Sequence, residues 1–226
     1  NVPQGKILFG AFHQPARVGS DPEVLATLSE RELRCGLAEC LKHGVIRDPL
    51  ETPGADLPPL FDWITEHAQA ILALDTPTLV ELVKRNVEIK ASVVMADEKE
   101  AGVRAHLNLG HTFAHAIEAT SQFGTRYKHG EAVSLGMVAA TAFAVNRRLC
   151  PPELLDQVMT GCAAVGLPTT AKHLAPDAIL LKTMAMDKKV RGGRIRLVLP
   201  TRMGEVTIVD DATADEVKAA WAVVRG

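Results

Sequence analysis

The run HGEAVSLGMVAATAFAVNRRL, His129 to Leu149, carries no charge between Glu131 and Arg147. Its uncharged part, Ala132 to Asn146, includes Ser134, Gly136 and Thr141. A bilayer crossing needs about 20 apolar residues in succession, so this stretch is too short to span lipid. An apolar helix of that length has to be enclosed by protein. The segment therefore predicts a buried core helix, and the rest of the chain is read for the elements that bury it.

Towards the N-terminus, Arg104 to Thr120 reads as a loop feeding a helix from about Leu109, after a charged turn at Asp97 to Gly102. Thr76-Pro77 opens a long helix through about Asp97. Its stripe is Leu79, Leu82, Val83, Asn86, Val87, Lys90, Val93 and Val94, with Asn86 and Lys90 interrupting an apolar face. A further helix is predicted from about Leu60 to Leu74, and the proline-rich residues 49–59 are a loop. Ser29 and Glu32 have the spacing of a capping box, followed by Leu33, Leu37, Leu41 and Val45 at helical intervals. Residues 1–28 suggest loop with short strands at Ile7 to Phe12 and Arg17 to Val18.

Towards the C-terminus, Pro151-Pro152 starts a helix ending near Gly166, and Pro176 opens another. Arg194 to Leu199 and Glu205 to Val209 alternate as a two-stranded hairpin, and Thr213 with Glu216 caps a last helix to about Val224. The expected fold is mainly α, one helical domain over residues 1–226 with a small β-hairpin.

Composition agrees with this. The 226 residues are 47% hydrophobic and 23% charged, with a formal charge of -2, which is ordinary for a globular protein. The near-neutral balance excludes the basic footprint of a nucleic-acid binder, and no segment predicts membrane insertion. Cys35, Cys40, Cys150 and Cys162 form no CxxC pair, which points to a reducing, cytoplasmic compartment. No signal peptide opens the chain, and its start without Met is expected to be a cut within a longer protein or a processed end.

Chemistry concentrates in Arg104 to Glu118, RAHLNLGHTFAHAIE. His111 and His115 stand one helical turn apart, the spacing at which two imidazoles can meet one metal, although the pair alone is a weak signal and two histidines satisfied within the helix are the commoner case. Thr112 replaces the glutamate of HExxH, so the metalloprotease reading is excluded. Glu39, with Lys42 three residues on, lies on an otherwise apolar helix. His129 begins the most apolar helix, where the helix dipole disfavours the imidazolium and should keep the ring neutral. Glu39, His111 and His129 together have the composition of a catalytic zinc site with one open position. Lys42, Lys90, Arg104, Lys188 and Lys189, beside Asn108 and His115, suggest a pocket for a carboxylate or phosphate.

On these residues the chain resembles the 3-dehydroquinate synthases, specifically their C-terminal domain. LNLGHTFAHAIE (Leu107 to Glu118) and HGEAVSLGM (His129 to Met137) carry the resemblance, with Gly5-Lys6 to Pro15, Thr27 to Glu32, Gly36 to Gly44, Lys90 to Glu98 and Asp187 to Lys189 extending it over nearly all of the chain. The resemblance implies conversion of 3-deoxy-arabino-heptulosonate 7-phosphate to 3-dehydroquinate in the shikimate pathway, with NAD and one divalent metal, zinc or cobalt. In that chemistry the C5 hydroxyl is transiently oxidised, phosphate leaves by β-elimination, and reduction, ring opening and aldol closure follow. It implies metal ligands at Glu39, His111 and His129. It places His115 in substrate contact and proton transfer rather than in a bare HxxxH chelate. Lys42, Arg104 and Asn108 fall on catalytic positions, Lys90, Lys188, Lys189 and Glu100 on substrate-binding ones, and Lys6 on the cofactor side. A homodimer is also implied.

Three departures stand out. Ile7 replaces the usual asparagine after Gly-Lys, and Ala114 replaces the middle glycine of GHTFGH. The N-terminal α/β nucleotide-binding domain is not represented, so residues 1–28 would be the junction to it and the fragment alone should bind metal without turnover. Rival readings are another sugar-phosphate cyclase of secondary metabolism, a metal-dependent polyol dehydrogenase, or a non-catalytic metal-binding remnant.

Overall fold

The apolar run forms the predicted core helix. In the structure, a computed structural model that describes residues 16–47, 58–98, 102–121, 126–186 and 195–226, it is the sixth of the described helices. These are α1 (Glu30–Ile46), α2 (Leu60–Glu66), α3 (Ala68–Leu72), α4 (Thr76–Ala96), α5 (His111–Thr120), α6 (His129–Asn146), α7 (Glu153–Ala164), α8 (Asp177–Met186) and α9 (Ala214–Arg225). Two strands, β1 (Ile195–Arg202) and β2 (Glu205–Ala212), precede α9, and short 3-10 turns occupy Pro22–Thr27 and Val103–Asn108.

Every residue of α6 from Ala132 to Ala144 is buried, because α1, α5, α7, α9 and β1 all pack against it. Its interior hydroxyls are satisfied locally: Ser134 donates to the Pro168 carbonyl at 2.8 Å and Thr141 to that of Met137 at 2.8 Å. No helix among the described residues is long and apolar enough to cross a membrane. The hairpin is antiparallel, pairing Leu199 with Thr207 and Val198 with Ile208. Its turn needs Gly204, at φ +81. Trp221 of α9 is fully buried edge-to-face against Phe113 of α5, ring centroids 5.0 Å apart.

The structure departs from the sequence reading in four places. Residues 17–20 form no strand; Val18 is exposed, and the chain goes directly into the 3-10 turn, capped by Asp21. The predicted Leu60 to Leu74 helix is bent at His67, where the Trp63 carbonyl takes both the backbone N–H and the ring Nδ1–H of His67. The Ser29 cap forms, but Glu32 pairs with Lys128 rather than closing a box. Finally, the buried face of α4 is Leu79, Leu82, Arg85, Ile89 and Val93, which leaves Val87 and Lys90 exposed. Arg85 turns inward because its guanidinium reaches the Pro58 carbonyl at 2.8 Å and lies over the Trp63 ring. The other predicted elements are present within a few residues; the Ile7 to Phe12 strand lies outside the described residues.

Trp221→Ala removes the largest fully buried side chain where α9 and α5 meet. The expected cost is about 3–5 kcal/mol, read from urea unfolding followed by circular dichroism.

Candidate metal centre

Two backbone contacts position the site. A Cβ at Gly130 would fall 2.2 Å from the Cys35 carbonyl oxygen, so the start of α6 rests directly on the α1 backbone. Glu39 lies one turn beyond Cys35 on α1, and His129 immediately precedes Gly130, so this contact puts the two side chains opposite each other. A Cβ at Gly136 would fall 2.2 Å from the Gly110 carbonyl oxygen, and Gly110 itself, at φ +73, is the left-handed residue that starts α5. His111 follows it. Arg31 of α1 ties the arrangement down with two hydrogen bonds of 2.7 Å to Glu131, which also accepts from the Lys128 N–H at 2.8 Å.

The result is a converging trio. Glu39 Oε1 lies 3.5 Å from His111 Nε2 and 3.5 Å from His129 Nε2, and the three atoms are within 4.8 Å of one another. Donor atoms around a tetrahedral metal with bonds of about 2.0–2.1 Å lie about 3.4 Å apart. The two distances to Glu39 Oε1 have that spacing. Glu39 Oε1 is buried with no hydrogen-bond partner among the described residues, while Oε2 pairs with the Lys42 ammonium. Both imidazoles turn Nε2 towards this oxygen because Nδ1 is engaged elsewhere: His111 Nδ1–H donates to the Leu109 carbonyl at 3.1 Å, and His129 Nδ1–H to Glu118 Oε2 at 3.2 Å. A buried carboxylate oxygen facing two imidazole nitrogens is a donor set that could hold a shared cation. Two nitrogens and one oxygen suit a divalent ion such as zinc.

The electrostatics follow from this packing. Burial works to raise Glu39, but His129, Lys42 and His111 together hold its carboxyl far below the usual range. Burial and Lys42 push His111 down to about 4, the neutral form a metal requires. His129 corrects the dipole expectation. Glu118 and Glu39 flank it and, despite partial burial, raise it to about 9, because two carboxylates outweigh the helix terminus.

Of the other predicted site residues, His115 sits beside the centre, its ring perpendicular to that of His111 with centroids 5.7 Å apart, but it is not among the converging atoms. The HxxxH pair therefore does not form the ligand set. Lys42 is almost completely buried against Glu39. Arg104 and Asn108 lie on the 3-10 turn leading into α5, which packs on α1 and α4. Arg104 donates to the Glu98 carbonyl through its guanidinium, and its N–H to Asp97 at 3.0 Å. Lys90 is exposed and lines an apolar groove with Leu37, Cys40, His43 and Asn86. Lys6, Glu100, Lys188 and Lys189 lie outside the described residues, as does Ile7. Ala114 is fully buried where α5 passes Gly136. The sequence reading missed Glu118, although its spacing, seven residues after His111, places it on the same helix face.

Comparison with known proteins gives a consistent answer. The family profile described as 3-dehydroquinate synthase C-terminal matches residues 36–190. A 3-dehydroquinate synthase of Caulobacter vibrioides is 43% identical over 223 residues, covering 97% of this chain and 58% of the relative. One from Halorhodospira halophila is 44% identical over 211 residues, covering 93% and 56%. The chain thus spans rather more than half the length of the curated relatives it matches. Among solved structures, 2-epi-5-epi-valiolone synthase from Streptomyces hygroscopicus subsp. jinggangensis 5008, with NAD+ and Zn2+ bound, superposes with a TM-score of 0.77 at 27% identity, covering 90% of this chain and 54% of that one. A 2-deoxy-scyllo-inosose synthase complexed with carbaglucose-6-phosphate, NAD+ and Co2+ shares the fold at TM-score 0.77 and 19% identity, covering 100% and 61%.

Two outcomes follow. Gly130→Ala should cost about 1–3 kcal/mol by overpacking and abolish metal uptake, whereas Gly36→Ala, mid-helix with a Cβ that meets nothing within 4 Å, should leave metal uptake unchanged and stabilise the chain by about 0.5–1 kcal/mol; thermal melting and zinc titration check both. In metal-free buffer, the raised His129 stabilises the folded chain most fully below its ordinary value of 6.5 and loses that contribution as pH rises through about 9. The melting temperature of the wild type should therefore exceed that of His129→Gln in mild acid, and the gap should close above pH 9.

Proposed function

The chain belongs to the 3-dehydroquinate synthase family, and from that membership we propose that it is the metal- and substrate-binding domain of an enzyme forming 3-dehydroquinate from 3-deoxy-arabino-heptulosonate 7-phosphate. The reaction is a phosphorus–oxygen lyase step of the shikimate pathway, carried out in the cytoplasm by a homodimer. The supporting observation is the buried, hydrogen-bond-free Glu39 oxygen with two imidazole Nε2 atoms 3.5 Å away.

In this reading Glu39, His111 and His129 hold zinc or cobalt, which supplies Lewis acidity to the vicinal hydroxyls of the substrate. Lys42 keeps Glu39 anionic by pairing with its second oxygen. His115, beside His111, is placed to carry a proton between the substrate and solvent. Arg104 and Asn108, just ahead of α5, offer a guanidinium and an amide to the substrate's anionic and hydroxyl groups, and Lys90 adds a cation from α4. Lys188, Lys189 and Glu100 complete the substrate contacts, and Lys6 serves the cofactor side. The nicotinamide cofactor supplies hydride transfer and is held by a nucleotide-binding domain beyond these residues.

The test joins this chain to the NAD-binding domain of a dehydroquinate synthase relative and follows phosphate release from the heptulosonate phosphate, in an arrangement that the relative's own C-terminal domain restores. Metal-dependent release is expected, falling by at least about 100-fold in Glu39→Gln, and the chain by itself should bind zinc with no turnover. Release that is absent, or unchanged by Glu39→Gln, overturns the assignment.

A further inference from the structure

The two histidines of the centre are supported differently. His111 is nearly buried, and its Nδ1–H is held by a main-chain carbonyl, that of Leu109, two residues away. That support is part of the turn into α5 and needs no other side chain. His129 is half exposed, stands at the first position of α6, and depends on one side chain from another helix, Glu118 of α5, at 3.2 Å.

An imidazole with one edge in solvent can turn over about χ2 and present either nitrogen. A carboxylate oxygen can only accept, so its partner on His129 must be the protonated Nδ1, which leaves Nε2 directed at Glu39. The Glu118 side chain is 18% exposed against 50% for His129, so the anchor is more enclosed than the ring it holds. Its charge also makes the imidazole a stronger donor.

We propose that Glu118 is a positioning residue of the metal centre, committing His129 to the Nδ1–H tautomer and to the ring orientation in which Nε2 completes the ligand set. The inference rests on the reading of Glu39, His111 and His129 as metal ligands. Glu118 itself does not coordinate; its hydrogen-bonded oxygen lies on the far side of the His129 ring from Glu39.

The test uses the whole chain and zinc alone, with affinity measured against a chromophoric chelator and ring tautomers read by 15N NMR of histidine-labelled protein. Glu118→Ala should weaken zinc binding by about 10–100-fold and leave His129 a mixture of tautomers, with His111 unchanged. Glu118→Gln keeps an acceptor oxygen and should recover most of the affinity and the single tautomer. Circular dichroism and thermal melting establish that the variants are folded. Wild-type affinity in a folded Glu118→Ala, or an Nε2-protonated His129 in the zinc-loaded wild type, overturns the proposal; the second result is decisive even if no variant folds. A wild type that takes up no zinc, or takes it up equally well as Glu39→Gln, removes the metal centre itself and this inference with it.

Discussion

The centre depends on how closely α6 can lie on its neighbours. At Gly130 and Gly136 the backbone of α6 meets that of α1 and of the turn into α5 at distances that leave no room for even a methyl group. These contacts sit one residue from His129, one turn from Glu39 and one residue from His111. These backbone-level approaches bring side chains on three different helices into one small volume. The apolar length of α6, buried from Ala132 to Ala144, provides the hydrophobic force that holds the approach in place. The glycines determine where along the helix it happens.

Charge is arranged with the same economy. Lys42 occupies one oxygen of Glu39, so the other is left without a hydrogen bond and faces the two Nε2 atoms. Burying a carboxylate oxygen without a hydrogen bond is costly and has to be offset by charge nearby. In the metal-free chain, His129 carries the compensating charge, raised to about 9 by carboxylates on either side. A divalent ion would take over that role and displace the proton. The exchange of one proton for a divalent ion adds one positive charge to the site, which an anionic ligand at the open position would offset.

Much of this was legible in the residues. Uncharged length marked α6 as interior, and spaced leucines with a serine cap marked α1. Glu39, His111 and His129 stood out because each interrupts, or begins, an apolar helix. What escaped the pattern has physical reasons. On α4 the hydrophobic stripe pointed to Lys90 and Val87, but Arg85 can turn inward because a carbonyl and an indole ring are available to it from the segment at Pro58 to Trp63. That partner is more than twenty residues away, and no local period encodes it. The dipole argument for a neutral His129 considered only its own helix, whereas Glu118 and Glu39 come from two others. Nothing in the local pattern marked Gly130 and Gly136 as the contact surfaces of α6, because what they touch lies on α1 and at Gly110.

The same comparison separates the support of the centre from its ligands. Leu109, Gly110 and Gly130 position by main chain, so most side-chain changes at those points act only through sterics. Glu118 positions by a side chain, and it does so for the histidine with the least support of its own. A centre built this way has two rigid members, Glu39 clamped by Lys42 and His111 clamped by its own turn, and one member whose orientation is set by a single hydrogen bond. The ring with the most exposure, at 50%, is thus the one whose orientation depends on a side chain of another helix.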